Sequence, residues 1–240
     1  MKTLAIIPAR AGSKGLPDKN IKLLANKPLI SYSILAGKKS KLISRVIVST
    51  DSTKYASIAK DYDAEVPFLR PKNISGDFST DYDFVKHAID WLDKNENYYP
   101  DLIVNLRPVT PLRDPKLIDD AITFLNRDSD CTSLRSAHEM SETAYKMCEI
   151  DQGYFKSICN GSYDHDELNK PRQSFPTTYT PNGYVDVMRS SYINKNKLLY
   201  GDRVKAFITP VSYEVDSIDD FQLLEWLLEK DNKVYESLFK

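Results

Sequence analysis

Leu4-Ala5-Ile6-Ile7-Pro8-Ala9-Arg10-Ala11-Gly12-Ser13-Lys14-Gly15-Leu16-Pro17-Asp18-Lys19-Asn20 runs from an apolar stretch straight into a basic, glycine-bearing loop. Leu4 to Ile7 has no polar alternation, which suits a strand covered on both faces, as in a parallel sheet. Two glycines three residues apart follow, with Arg10, Lys14 and Lys19 around them. Glycine lets a backbone turn tightly and bring its N–H groups close to an anion, and Ser13 adds a hydroxyl. Arg10, Lys14 and Lys19 supply countercharge of the kind a triphosphate requires. The loop matches neither of the widespread phosphate motifs, lacking the third glycine of the dinucleotide fingerprint and the Gly-Lys-Ser/Thr of a P-loop. On its own, such a loop reads equally well as a solvated turn.

Outward from this stretch, strand-like runs alternate with helical periodicity. The pattern predicts a helix from Pro28 to about Lys38, a strand over 45–50 and a helix over 52–62. A short strand over 65–69, a helix from Thr80 to about Asn95 and a strand over 102–106 come next. Asp114-Pro115 starts another helix, with Asp as cap and Pro at the first helical position. Strand and helix in this order specify a parallel sheet with right-handed crossovers, a doubly wound α/β fold. Ligands in such folds bind beyond the carboxyl ends of the strands. Four stretches share that rim: Arg10 to Asn20, Asp51, Arg70, and Arg107 to Arg113. Arg, Lys and Asp recurring on them point to a negatively charged ligand held by several loops.

The rhythm breaks in the second half. Residues 135–179 are polar, aromatic-rich and irregular, with a hairpin expected where 145–150 and 154–158 flank Asp151-Gln152-Gly153. A single domain over 1–240 with an inserted lid or oligomer contact over 136–180 fits this pattern. Strands return at 184–188 and 204–208, and a final helix follows Ser217 with Phe221, Leu224, Leu227 and Leu228 on one face. Residues from Asn232 onward read as loosely held. Glu214 and Asp216, two apart on an extended segment, point to the same side. They can hold one hard cation such as Mg²⁺ through oxygen, or be a solvated strand residue and part of a helix start, where negative charge is favoured anyway.

The 240 residues can bury a sizeable core. A formal net charge of −1 argues against a general nucleic-acid or membrane-surface binder. Cys131, Cys148 and Cys159 are odd in number, without the close pairing of a zinc site, and fit a reducing cytoplasm. No apolar stretch approaches the length of a membrane span, and the N-terminus lacks a signal-peptide layout. His87 falls in a helical pattern and reads as structural. His138 and His165 fall in the irregular segment, and no His/Ser or His/Cys nucleophile arrangement is evident.

Ile6-Ile-Pro-Ala-Arg-Ala-Gly-Ser-Lys-Gly-Leu-Pro-Asp-Lys-Asn20, Val48-Ser-Thr-Asp51, Arg107-Pro-Val-Thr-Pro-Leu-Arg113, Lys170-Pro-Arg-Gln-Ser-Phe-Pro176, Pro181-Asn-Gly183 and Glu214-Val-Asp216 stand in the order seen in acylneuraminate cytidylyltransferases. The sequence thus resembles, over nearly its whole length, the CMP-sialic acid synthetases and their relatives for bacterial nonulosonic acids. The resemblance implies a Rossmann-like nucleotidyltransferase fold, a homodimer, and transfer of CMP from CTP to a 2-keto sugar acid with release of pyrophosphate. It also implies residue roles. Arg10, Ser13, Lys14, Lys19 and Asn20 would contact the nucleotide, and Arg70 and Arg113 would contact it or order its loops. Lys146 and Arg172 would come from the dimer partner toward the sugar or pyrophosphate, and Arg107 and Asn182 would lie on the sugar side. Lys19, Arg10 and Arg172 would carry the catalytic countercharge. Asp216 and Glu214 would hold Mg²⁺. The sequence departs from the family at Arg107, where a glutamine is usual, at Tyr184-Val-Asp-Val187, and at Glu214 in place of an aspartate. The first two departures shift the expected sugar away from N-acetylneuraminic acid. An octulosonate-type sugar acid, or a nucleotide-binding protein without catalysis, are the rival readings.

Overall fold

The computed structural model describes residues 1–240. In chain order the strands and helices are β1 (Thr3–Pro8), β2 (Leu23–Leu24), β3 (Lys27–Pro28), α1 (Leu29–Lys39), β4 (Arg45–Ser49), α2 (Thr53–Asp61), α3 (Asp81–Glu96), β5 (Leu102–Asn105) and α4 (Pro115–Asn126). Then follow β6 (Ser133–Glu139), β7 (Cys148–Asp151), β8 (Tyr154–Ser157), α5 (His165–Leu168), β9 (Tyr179–Arg189), α6 (Ser190–Asn196), β10 (Val204–Ile208), α7 (Ile218–Lys230) and α8 (Lys233–Phe239). Six strands form one sheet in the order β10-β6-β9-β5-β1-β4. Only β9 runs against the others.

The apolar run of β1 is explained by its two neighbours. Ala5 and Ile7 face a large layer with α1, α4, α7 and α8, whereas Leu4 and Ile6 face a smaller layer with α3 and α6. Both faces are dry, so alternation has no role to play. Helix starts are set by side chains: Ser52 and Asp114 accept backbone N–H groups of α2 and α4, and Thr80 and Ser217 form reciprocal capping boxes.

Three expectations are corrected. Residues 65–69 form no strand: Glu65 alone bridges to Ile47, because Pro67 has no N–H to continue a ladder. The irregular reading from 135 hides β6, whose polar sequence Ser133-Leu-Arg-Ser-Ala-His-Glu139 is in the sheet between β9 and β10. The C-terminus is held, since α8 buries Leu238 and sets Phe239 edge-on against Tyr32 at 4.8 Å.

With β6 reaching Glu139 and β9 starting at Tyr179, the excursion from the sheet spans 140–178. Its β7–β8 hairpin turns on Gln152 and Gly153, both at positive φ, the backbone a two-residue turn between twisted strands needs.

Candidate functional site

The carboxyl ends of β1, β4 and β5 open onto a cleft of about 470 Å³. Arg10, Ser13, Lys14, Lys19, Asn20, Arg70, Arg107 and Asp216 line it, all anticipated from sequence; Ser79, Asp81 and Phe84 add to its wall. The loop after β1 is shaped by a few ties. Asp51 accepts the Ala11 N–H at 2.8 Å, and the Asn20 side chain donates to the Arg10 carbonyl at 3.1 Å. Asp18, at φ 53°, accepts from Lys54 and from the Tyr55 hydroxyl, each at 2.9 Å. The loop passes so near the segment after β10 that a Cβ on Gly15 would stand 2.9 Å from the Asp216 carbonyl. Between these ties the N–H groups of Gly12, Ser13, Lys14 and Gly15 donate to nothing within the chain. Ser13, Lys14 and Gly15 of this row line the cleft together with Arg10 and Lys19, so amides free to donate stand beside three cations, the composition of an anion-binding loop.

Each loop cation is met by an acid. Asp77 receives Arg10 at 2.9 Å and also Lys14, and Asp216 receives Lys19 at 2.8 Å. Arg70 is buried (5 % exposed) over the Phe84 ring, with its guanidinium on the Ser49 hydroxyl and carbonyl. Burial pulls its pKa down to about 10 against the nearby Asp51 charge, so a further anion at this position would be welcomed.

Arg107 enters the cleft from the other side, held by Asp186 at 2.8 Å and by Asp81, with the Tyr200 hydroxyl completing the group. Burial works against its charge, but Asp186 and Asp81 outweigh it and keep the guanidinium above its ordinary range. The sequence marked Arg107 and the Tyr-Val-Asp-Val segment as separate departures; the structure joins them as one ion pair. A charge with two carboxylates already on it is a poor receptor for a third, so this wall offers Asp81 oxygens to hydrogen-bonding groups, while the Tyr200 hydroxyl is spent on Asp186.

Arg113 is outside the cleft. It is fully buried, donating to Ser33 Oγ at 2.8 Å and to the carbonyls of Tyr184, Arg107 (2.7 Å) and Gly183 (3.0 Å). Burial brings its pKa down to about 9. It ties β9 to the loop after β5; four of its five N–H groups are spent on these acceptors, and the fully buried side chain presents none to the cleft. Asn182 is likewise internal: its amide meets Thr209 Oγ1 at 2.8 Å and His138 at 3.2 Å, while its carbonyl oxygen accepts the Tyr184 N–H. Lys146 and Arg172 lie on the excursion, away from the cleft, the former over the Phe175 ring and the latter on Glu139 and Met140 O.

Glu214 and Asp216 flank buried Val215. Gly183, at φ 60°, lets β9 pass under Glu214, for a Cβ there would stand 2.7 Å from Glu214 Oε1. Loss of hydration, with Asp216 adding to it, raises the Glu214 pKa against the pull of Arg107. Two carboxylates that repel one another would be relieved by a cation between them. No three acidic, histidine or cysteine side chains converge in the chain, so such a cation would take further oxygens from water or phosphate, as Mg²⁺ commonly does.

A mostly parallel α/β sheet with an anion-binding loop after its first strand and a second, polar wall facing it defines a nucleotidyltransferase-type fold. The chain belongs to the cytidylyltransferase family, whose model matches residues 4–235. Among curated relatives, the N-acylneuraminate cytidylyltransferase of Escherichia coli O18:K1:H7 is 29% identical over 97% of this chain and 53% of its own, so the chain spans about half that protein. The CMP-N,N'-diacetyllegionaminic acid synthase of Legionella pneumophila is 31% identical over 95% of this chain and 97% of its own. The pseudaminic acid cytidylyltransferase of Campylobacter jejuni is 29% identical over 97% and 99%. The solved structure of CMP:2-keto-3-deoxy-manno-octonic acid synthetase complexed with CTP has a TM-score of 0.70 at 16% identity, covering 96% of this chain and all of that one; it supports the fold. No helix is long and apolar enough to cross a membrane.

Proposed function

We propose that the protein transfers CMP from CTP to the anomeric hydroxyl of a nonulosonic, sialic-acid-like sugar acid, releasing pyrophosphate. The observation that carries this reading is the row of four free amides at 12–15 with Arg10, Lys14 and Lys19 around it, at the carboxyl end of β1. Full-length relatives that act on such acids, in Legionella and Campylobacter, support the acceptor class.

Transfer at the α-phosphorus needs in-line placement of the sugar hydroxyl and neutralisation of charge growing on the departing pyrophosphate. Arg10, Lys14 and the loop amides would take the outer phosphates, with Lys19 as countercharge on the departing group. Arg70, Ser79 and Phe84 line the part of the cleft left for the nucleoside. Asp81, which lines the cleft, would receive the hydroxyl and acylamino groups of the sugar, oriented by Arg107.

A divalent cation, Mg²⁺ by its preference for carboxylate and phosphate oxygens, would be held by Asp216 and Glu214, where it would supply charge neutralisation on phosphate. The pair fits it as far as donor chemistry goes. Lys19 already touches Asp216, so the same residue would place its ammonium beside both carboxylate and phosphate.

Lys146 and Arg172 would act in the cleft of a second copy. Support comes from the apolar groups the excursion leaves exposed, among them Ile150, Tyr154, Phe155 and Ile158, which a dimer would cover. Light scattering should return twice the 27.4 kDa of one chain; a monomer would remove both residues from the mechanism.

Pyrophosphate release from CTP and Mg²⁺ tests the whole reading. The acceptors are N-acetylneuraminic, legionaminic, pseudaminic and octulosonic acids, with Lys19→Ala and Asp216→Ala as controls. Release with one nonulosonic acid, lost in both variants, is expected. Release with octulosonic acid alone would move the protein to the other sugar class, and CTP binding without release would make it a nucleotide-binding protein.

A further inference from the structure

Residues 71–79 connect two fixed points. Arg70 is anchored to Ser49, and its own N–H to the Thr50 carbonyl; Thr80 caps α3 through Asp83. Between them, the backbone hydrogen bonds run from Ile74 to Pro71, from Ser75 to Lys72 and from Ser79 to Gly76, all inside the segment. The Ser75 hydroxyl also turns inward, to the Pro71 carbonyl. The polar ties of this segment to the rest of the chain are those of Asp77 alone, one to Arg10 at 2.9 Å and one to Lys14. The next residue, Phe78, is 99 % exposed.

We propose that Asp77 is a latch. Its carboxylate positions Arg10 and Lys14 at the mouth of the cleft and yields them to an incoming polyphosphate, and yielding them releases segment 71–79. The proposal rests on the reading of loop 10–20 as the polyphosphate site. A polyphosphate offers the same two cations more negative charge and more acceptor oxygens than one carboxylate does. It also repels Asp77. Because Asp77 makes every polar tie of the segment, the exchange removes all of them together. Ser79 lines the cleft, so the released stretch borders the bound ligand and could rearrange over it. The two pairs are exposed and individually weak, which suits a contact that must be given up on each turnover. Asp77 is thus a positioning residue, acting through Arg10 and Lys14.

The probe is inorganic tripolyphosphate without metal, titrated calorimetrically into the wild type, Asp77→Asn, Asp77→Glu and Asp130→Asn. Asp130 is the control: it is an exposed acid paired with Arg203, and neither residue lines the cleft. Two weak exposed pairs are together worth about a factor of ten, so Asp77→Asn should bind tripolyphosphate about tenfold tighter. Asp77→Glu should stay within about threefold of wild type and Asp130→Asn within about twofold, since neither frees the two cations. A merely structural Asp77 would weaken binding when replaced. Chymotryptic cleavage after Phe78 supplies the second readout: tripolyphosphate should accelerate it in the wild type, and in Asp77→Asn it should be fast from the start. Unchanged or weaker binding by Asp77→Asn would overturn the latch while leaving the polyphosphate site standing, as would Phe78 cleavage indifferent to tripolyphosphate. Failure of the wild type to bind tripolyphosphate at all would overturn both.

Discussion

Replacing Arg113 separates a strut from a ligand contact. The guanidinium is fully buried and serves four acceptors: Ser33 Oγ and the carbonyls of Tyr184, Arg107 and Gly183. Arg113→Met keeps much of the volume and leaves those acceptors without their donor. Each orphaned buried acceptor costs about 1–3 kcal/mol. Relief from burying a charge offsets part of the sum, and removing one side of a buried polar network costs about 3–5 kcal/mol net. For a chain of this size 1 kcal/mol moves the melting temperature by about 2–4 °C, so a drop of roughly 6–20 °C is expected. The assay is urea and thermal unfolding of Arg113→Met and Arg113→Lys beside calorimetric CTP titration at a temperature where the variants remain folded. The lysine variant should recover little, because an ammonium cannot reproduce the fork. CTP affinity of the folded fraction should stay within a few-fold of wild type. A variant with unchanged unfolding and no CTP binding would show instead that Arg113 serves the nucleotide.

Arg107→Gln should destabilise the chain by about 3 kcal/mol, because Asp186, with a side chain 1 % exposed, loses the nearer of its two charge partners and keeps only Arg135 at 3.6 Å; adding Asp186→Asn should recover more than half of this in urea unfolding. Glu214 holds its proton to higher pH in the folded chain than the ordinary 4.5 of the unfolded one. The folded state therefore binds more protons in that window, and stability falls as pH rises through it; Glu214→Gln should flatten the profile of melting temperature against pH. Phe239→Ala removes the ring packed on Tyr32 and Tyr235 and should cost about 2 kcal/mol, the ring being only partly buried; a variant as stable as wild type would mean that α8 contributes nothing to the core.

The parallel half of the sheet was legible because β1, β4 and β5 are apolar on both faces and the helices between them carry one-sided periodicity. β6 was not, because its polar side chains are satisfied by neighbours no local pattern reveals: Ser133 Oγ by the Tyr200 carbonyl, and Ser136 Oγ by the Val185 N–H. The basic loop announced itself through residue type and glycine spacing. Asp77 did not, being 67 residues from the Arg10 it holds. For Arg113 the family motif leaves nucleotide contact and loop ordering both open, and the structure shows the second, since a motif fixes position along the chain without saying which way a side chain points. The Arg107–Asp186 pair was visible as two anomalies 79 residues apart, and only the antiparallel register of β5 and β9 joins them.

Attack by the anomeric hydroxyl of a sugar acid on the α-phosphorus of CTP can be followed by ³¹P NMR with a nonulosonic acid whose anomeric oxygen has been exchanged in ¹⁸O water, incubated with CTP, Mg²⁺ and the protein. The expected product is a CMP-sugar phosphodiester carrying ¹⁸O on its phosphorus, with unlabelled pyrophosphate. Label in the pyrophosphate, or CTP cleaved to CMP without a phosphodiester, would rule this transfer out.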